Sequence, residues 1–337
     1  MTRALDSALA SGLPPRNRIY NPAFQISQEF GADAATGVTS AAVKYICDGW
    51  QIANTTTGTV IASQSTQQTP GGSKYRLGMA VTVADATVGI NEYVIVQQAI
   101  EGYSVFDLKW GTASAKPITL RYYFNVPIAG TYGLSVCNST GLRCYVVPVV
   151  VAANEINTDK LVTLTIPGDT GGTWAVDNNV GLIIRWCYMA GTTYQTATPN
   201  AWGTANVFTT AAQVNNVATT SGGGSIADVG LYEGTSAPPF EVPNLMEEFR
   251  RCQRYLEYAE ITLTTSPYTT QVAMMAQKRL ASPTITLVSG AVNGGATTAY
   301  GPSVGGVVGP GSGATVLRVS TASTGAVDAC YKVDARM

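Results

Sequence analysis

Ile118-Thr119-Leu120-Arg121-Tyr122-Tyr123-Phe124-Asn125 alternates bulky apolar residues with Thr119, Arg121 and Tyr123. A period of two puts Ile118, Leu120, Tyr122 and Phe124 on one face of an extended strand, more apolar than the other. The pattern recurs on both sides. Short β-rich runs bounded by Gly, Pro, Asn, Asp and Ser predict strands at Tyr75–Val83, Tyr93–Ile100, Thr131–Val136, Arg143–Val151, Leu161–Ile166, Gly181–Met189 and Ile226–Tyr232. Such spacing belongs to an all-β, jelly-roll-like β-sandwich over residues 41–241. Val146-Val147 and Val149-Val150-Val151 form a nearly continuous apolar run, as expected of a strand buried on both faces, and Pro148 removes one ladder hydrogen bond, predicting an edge or a bulge. Thr140-Gly141 lies midway between Cys137 and Cys144. A two-residue turn there sets the cysteines across a hairpin and makes a Cys137–Cys144 disulfide a candidate.

The flanks differ. Residues 1–40 lack a lasting period and carry Pro14-Pro15 with Arg3, Arg16 and Arg18, so they read as an N-terminal arm or attachment segment, either ordered against a partner or frayed. Further on, Leu245, Phe249, Cys252 and Leu256 follow helical spacing, with Asn244 as N-cap, Glu247 completing a capping box and Arg251 four residues beyond Glu247. This predicts a helical connector over residues 242–258 that buries Leu245, Phe249 and Leu256. Pro238, Pro239 and Pro243 separate it from the sandwich. Residues 259–337 return to strand patterning at Ile261–Leu263, Thr284–Val288, Thr315–Val319 and Cys330–Val333, with a long loop expected over Ser289–Ala314. A small β-rich C-terminal domain of this size needs to pack on the sandwich or on another copy of the chain.

Among 337 residues only 12% are charged, against the usual ~25%, while 45% are hydrophobic, so surface polarity must come from neutral groups. That composition suits an extracellular or virion protein. The chain has no histidine, which removes Ser-His-Asp and Cys-His catalysis and His-ligated zinc. With 20 Lys+Arg against 21 Asp+Glu and no basic block, binding to nucleic acid by counterion release is not expected. The longest apolar stretch, Tyr145–Ala153, is far short of the ~20 residues of a membrane helix, so no membrane insertion is expected. Nor does the N-terminus carry the ~7–15 apolar residues of a secretory signal. There is no GxxxxGK[ST], no GxGxxG between strand and helix, and no CxxC; Ser221–Ser225 reads as a connection, and neither cofactor nor metal is expected.

Two chemistries remain. Glycoside hydrolysis needs only a pair of carboxylates, and Asp48, Glu92, Glu101, Asp107, Glu155, Asp169, Asp177, Asp228 and Glu233 are available, although nothing in their spacing pairs any two. A virion-associated or secreted polysaccharide hydrolase is therefore the alternative class. The other chemistry is aromatic. Tyrosine supplies 17 of the aromatic residues, and of five tryptophans Trp174 and Trp202 fall in loop-like contexts, which makes them the candidate ligand-binding residues for stacking on sugar rings. With so few charges, such binding is expected to depend little on ionic strength.

Several fragments, in order, resemble a family of phage and prophage tail-fibre or virion-appendage proteins. They are Asn21-Pro22-Ala23-Phe24, Asp48-Gly49-Trp50-Gln51, Lys116-Pro117-Ile118-Thr119-Leu120 with Tyr123-Phe124, Ile166-Pro167-Gly168-Asp169-Thr170-Gly171-Gly172-Thr173-Trp174, Val229-Gly230-Leu231-Tyr232-Glu233-Gly234 leading to Pro239-Phe240-Glu241, Cys252-Gln253-Arg254-Tyr255, and Arg279-Leu280-Ala281-Ser282-Pro283-Thr284-Ile285. The chain departs from the pattern at Pro22, usually Gly, and at Gly49, usually Arg. The resemblance implies a sandwich of carbohydrate-binding-module type, joined through the Cys-Gln-Arg-Tyr helix to a small β-domain on the outside of a virion. It implies no catalytic residues. Its expected partners are other virion proteins, further copies of the chain (a trimer by resemblance) and a host cell-surface glycan, and its expected role lies in a tail fibre, collar or head decoration. A host-encoded lectin-like adhesin is the weaker third reading.

Overall fold

A computed structural model describes residues 15–33, 36–39, 41–263, 269–273, 276, 279, 283–292, 297–300, 316–321 and 327–337. Two antiparallel sheets enclose the main core. The first runs β1 (Thr36–Val38), β4 (Thr59–Thr66), β5 (Tyr75–Val83), β13 (Gly223–Glu233), β7 (Ile118–Asn125), β10 (Lys160–Ile166). The second runs β12 (Trp202–Gly203), β9 (Cys144–Val151), β8 (Gly130–Cys137), β11 (Val180–Ala190), β6 (Tyr93–Glu101), β3 (Trp50–Asn54), β2 (Ala42–Cys47). The chain passes between sheets from β5 to β6 and from β7 to β8, as in a jelly roll.

Strand β7 buries Ile118, Leu120, Tyr122 and Phe124 in the core, as its alternation predicts. Its polar face is buried at Thr119 and Arg121, where residues 234–240 cross it: Thr119 Oγ1 donates to Gly234 O at 2.8 Å and Arg121 Nη1 to Pro238 O at 2.6 Å. Aromatic rings fill the space between the sheets. Trp186 packs 5.4 Å from Trp50 and edge-on to Tyr122 at 5.5 Å.

Strand β9 has the edge that Pro148 predicts but not the burial on both faces. Beyond Tyr145 it lacks a second neighbour, since β12 pairs only with Cys144 and Tyr145; Pro148 sits on that open edge and Val150 is 59% exposed, so the strand is not buried on both faces.

The arm boundary at residue 40 also needs correcting. Residues 1–14 lie outside the described residues, but Arg18, Ile19, Ala23 and Phe24 are buried, Arg18 N donates to Leu231 O, and β1 pairs with β4. This segment belongs to the sandwich because its apolar side chains fill the core and its polar ones find fixed partners. Asn21, at φ 52°, donates to Ile26 O and Asp48 O, and Trp50 Nε1 donates to Asn21 O.

Among the described residues the one α-helix, α1 (Leu245–Gln253), is shorter than the expected connector. Asn244 caps it, accepting from the N–H groups of Met246 and Glu247. Leu245 is 51% exposed rather than buried, and Phe249 is half-buried. The helix instead turns Glu248 inward, where it accepts from Asn21 N at 2.6 Å and pairs with Arg251, so Glu247 is not Arg251's partner. Leu256 is buried but already opens a strand.

That strand, β14 (Leu256–Leu263), forms a three-stranded sheet with β19 (Val327–Asp334) and β16 (Thr284–Val292); β15 (Thr269–Ala273), β18 (Val316–Thr321) and β17 (Thr297–Tyr300) form another. The expected loop over Ser289–Ala314 is partly strand, since β16 runs to Val292 and β17 follows. Residues 293–296 and 301–314 lie outside the described residues. The C-terminal unit packs on the sandwich: Lys332 and Arg336 pair with Glu29, and Gln28 Nε2 donates to Leu256 O. Tyr45 and Gln51 both donate to Met337 O. No helix among the described residues is long and apolar enough to cross a membrane.

Candidate functional site: an aromatic cleft at one end of the sandwich

After β6 the chain makes two 3₁₀ turns, Gly102–Ser104 and Phe106–Leu108, and leaves the second through Lys109 at φ 56° and Gly111 at φ 82°. A Cβ at Gly111 would lie 3.0 Å from Gly172 O and 3.3 Å from Trp174 Cδ1, so a side chain there would push the two loops apart. The close approach creates a cleft of about 270 Å³. Val105, Leu108, Trp110, Trp174 and Leu182 line it, with Phe106 (56% exposed) and Val176 (61% exposed) standing at its rim. Lys109, Thr112 and Ser114 supply polar groups.

The wall carrying Trp174 is held by a buried carboxylate. Asp169 accepts from Arg143 Nε at 2.8 Å and Nη2 at 2.6 Å, from Trp174 Nε1 at 3.1 Å and from Gly171 N at 3.2 Å. Burial pushes the Asp169 carboxyl up, but the Arg143 hydrogen bonds, then those of Gly171 and Trp174, outweigh it and hold the carboxyl below the usual aspartate value. Arg143 lies beside the hairpin end where Cys137 and Cys144 are paired in register and joined by a disulfide. The turn lies one residue before the expected Thr140-Gly141: Gly141 N donates to Asn138 O across Ser139-Thr140, and Gly141 follows at φ 69°. Asn138 Nδ2 reaches Thr173 O at 3.1 Å. Hairpin, disulfide, Arg143 and Asp169 thus fix the loop that presents Trp174.

Trp174 and Trp202 are brought together, along with Trp110. The Trp110 ring lies 4.7 Å from Trp174 and 5.3 Å from Trp202, and Trp174 lies 5.5 Å from Trp202, all edge-on. Trp202 also packs on Tyr145 and donates to Pro167 O at 3.0 Å, so it supports the cluster from behind while Trp174 lines the cleft. Neither ring is the free platform that its loop context suggests. Phe106 and Trp110, which sequence reasoning missed as site residues, sit among turn residues with no periodic signal; only their nearness to each other in the chain points to them.

A second depression, about 510 Å³, crosses the outer face of the first sheet. Ser63, Gly78, Ser225 and Asn125 are successive register partners across β4, β5, β13 and β7, giving a floor of small neutral groups. At its edge Arg76 is buried in a bidentate pair with Asp159 at 2.7 and 3.1 Å.

The candidate carboxylates have other employment. Asp107 and Glu233 converge on Arg18, Glu101 holds Arg254, Glu155 holds Lys160, and Asp48 is buried under Gln28. Burial pushes the Asp48 carboxyl up, against the Gln28 hydrogen bonds. Cys47, Cys187 and Cys252 are buried thiols. Among the described residues no three His, Cys, Asp or Glu side chains gather as a metal site.

No protein-family model matches the chain, and no curated protein matches it in sequence. Among solved structures it is similar to an arabinose-bound α-L-arabinofuranosidase (11% identity, TM-score 0.33, covering 67% of this chain and 28% of that one). It is similar also to the enzymatically active domain of tailspike protein 4 of bacteriophage CBA120 (11%, TM-score 0.30, covering 64% and 21%). A family 11 carbohydrate-binding module from a Clostridium thermocellum cellulosomal cellulase is a third (10%, TM-score 0.28, covering 59% and 99%). The chain therefore spans less than a third of the arabinofuranosidase and of the tailspike domain.

Proposed function

We propose that this chain is a non-enzymatic structural protein of a phage virion, part of a tail fibre, collar or head decoration, whose sandwich binds host-surface glycans in the aromatic cleft. The observation that carries the glycan-binding part of this reading is the cleft itself: Phe106, Trp110 and Trp174 offer apolar ring surface beside Thr112 and Ser114, the combination that a sugar with one apolar face and several hydroxyls requires, while the virion part rests on the ordered sequence fragments. The wall is fixed before any ligand arrives, which lowers the entropy cost of binding. No carboxylate lines the cleft or the furrow on the first sheet, and a hydrolase would need two of them flanking its substrate.

Other virion proteins and further copies of the chain, a trimer in the first instance, are the proposed partners, and the extracellular particle is the proposed location. Incubating the purified protein with host capsule or lipopolysaccharide separates binding from hydrolysis. Saturable binding with polymer mass unchanged is the expected result. Progressive loss of mass would establish the polysaccharide hydrolase instead.

A further inference from the structure

On the other side of the turn that walls the aromatic cleft lies a third cavity, about 270 Å³ like the cleft, into which four arginines converge. Arg16 and Arg18 come from the N-terminal segment, Arg251 from α1 and Arg254 from the residue after it. Three have carboxylate partners. Arg18 holds Asp107 in a bidentate pair at 2.5 and 2.8 Å and shares Glu233 with Lys116; Arg251 pairs with Glu248 at 2.8 Å; Arg254 holds Glu101 at 2.5 and 2.9 Å. Arg16 is the arginine of the four that has no ion pair or hydrogen bond among the described residues. Burial, then the charges of Arg18 and Arg251, pull Arg16 below the usual arginine pKa against the opposing pull of Asp107, and its exposed guanidinium is solvated at the cavity mouth, open to an incoming anion. The Nε–H of buried Arg18 likewise has no acceptor among the described residues. Tyr103 and Ser104 complete a wall that is part ring and part hydroxyl.

One singly charged oxyanion would supply what this cavity lacks. A guanidinium binds a carboxylate through parallel charge-assisted hydrogen bonds, and one arginine outside the ion pairs does not make the long basic stripe that a nucleic acid needs. The position narrows the class further. Glu101, Tyr103 and Ser104 line the arginine cavity and Asp107 pairs with Arg18, whereas Val105, Phe106, Leu108 and Lys109 line the aromatic cleft, so a single short segment forms a wall of both cavities. We propose that the arginine cavity takes the carboxylate of an acidic sugar unit whose neighbouring ring occupies the aromatic cleft. The target glycan is then acidic, an inference that rests on the glycan-binding reading above.

The test uses the full chain and a panel of hexuronate and nonulosonate oligosaccharides, each paired with its carboxyl-reduced, neutral form, titrated by tryptophan fluorescence. At ~50 mM salt at least one acidic member binds tenfold or more tightly than its neutral counterpart, and the gap closes at ~0.5 M salt. Arg16→Gln, at an exposed position outside the ion pairs, removes the preference while leaving neutral binding and the unfolding midpoint unchanged. Equal affinity for every acidic and neutral pair would overturn the inference yet leave the glycan reading standing. Absence of binding by both forms would overturn the two together. Inorganic phosphate displacing the acidic oligosaccharide at equal concentration would mark a plain anion site and also overturn the inference.

Discussion

The sandwich core and the junction where α1 and the C-terminal strands meet the sandwich are built on opposite principles. Between the sheets, Trp50, Trp186, Tyr122, Tyr132 and Tyr188 pack with Val, Leu and Ile from both sheets. At the junction a small apolar cluster of Tyr20, Ile26, Cys252 and Tyr255, alongside buried Leu256, Tyr331 and Val333, is supplemented by ion pairs and side-chain hydrogen bonds: Arg254 with Glu101, Arg336 with Glu29 and Asp334, Asn21 with Glu248. A core held by burial tolerates changes of charge state and salt. A junction held by paired charges depends on every partner being present, because a buried charge left alone is costly. A protein low in charge has therefore concentrated much of what it has where its parts join.

The largest expected effect is in the core. Trp186→Ala removes a fully packed ring and should cost about 3–5 kcal/mol in urea unfolding; a loss below ~1 kcal/mol would mean that the rings are not close-packed. Next, Glu101→Ala removes the carboxylate that Arg254 and the Tyr255 hydroxyl share. It should cost about 3 kcal/mol, with hydrogen exchange rising in α1 and β14 before the sandwich; uniform loosening would erase the distinction between the two regions.

Gly49→Ala is a smaller test of the junction. Gly49 sits at φ 82° with the Tyr20 ring 1.9 Å from where a Cβ would lie, and that ring stacks on Tyr255 at 4.6 Å. The substitution should cost more than about 1 kcal/mol, and an unchanged midpoint would show that Tyr20 moves aside freely.

Acid gives the mildest probe. Burial pushes Glu29 and Asp334 up, but Lys332 and Arg336 acting on the first, and Arg336 on the second, hold both below their ordinary values; Arg18 does the same to Asp107. These carboxylates are depressed in the folded state, so the stability they contribute is present above about pH 4 and is lost as the pH falls through their folded values. Asp48, raised by burial, works in the opposite sense, since its protonation relieves the fold. Burial raises Asp159 and Asp169 too, but Arg76 and Arg143 hold them low, so the sandwich also weakens in acid; its large apolar core does not titrate, and the net expectation is that the C-terminal unit becomes protease-sensitive below about pH 4 before the sandwich does. Simultaneous cleavage of both would contradict it.

The same contrast explains what could be read in the chain beforehand. Strands β5 and β7 are legible to the residue because alternation and turn residues are local. The segment carrying Arg18, Asn21 and Phe24 is not, since irregular backbone tied by distant partners has no period to detect. Leu245 misled for a related reason: helical spacing cannot tell a buried apolar face from one displaced by Glu248 reaching Asn21. Trp174 and Trp202 were legible as a region, but their edge-on packing around Trp110 was not. The four arginines come from residues 16 to 254 and form no run, so composition points to a weak dependence on ionic strength, and the salt titration of acidic against neutral glycans decides between that expectation and the arginine cavity.

The central claim, that the aromatic cleft is the recognition site, is tested most directly by Phe106→Ala, because that ring is largely exposed at the rim and contributes little to the core. Tryptophan fluorescence titrated with the host polysaccharide that binds saturably should show affinity falling at least tenfold, with the unfolding midpoint unchanged. A variant that binds as the wild type does would place recognition elsewhere on the molecule.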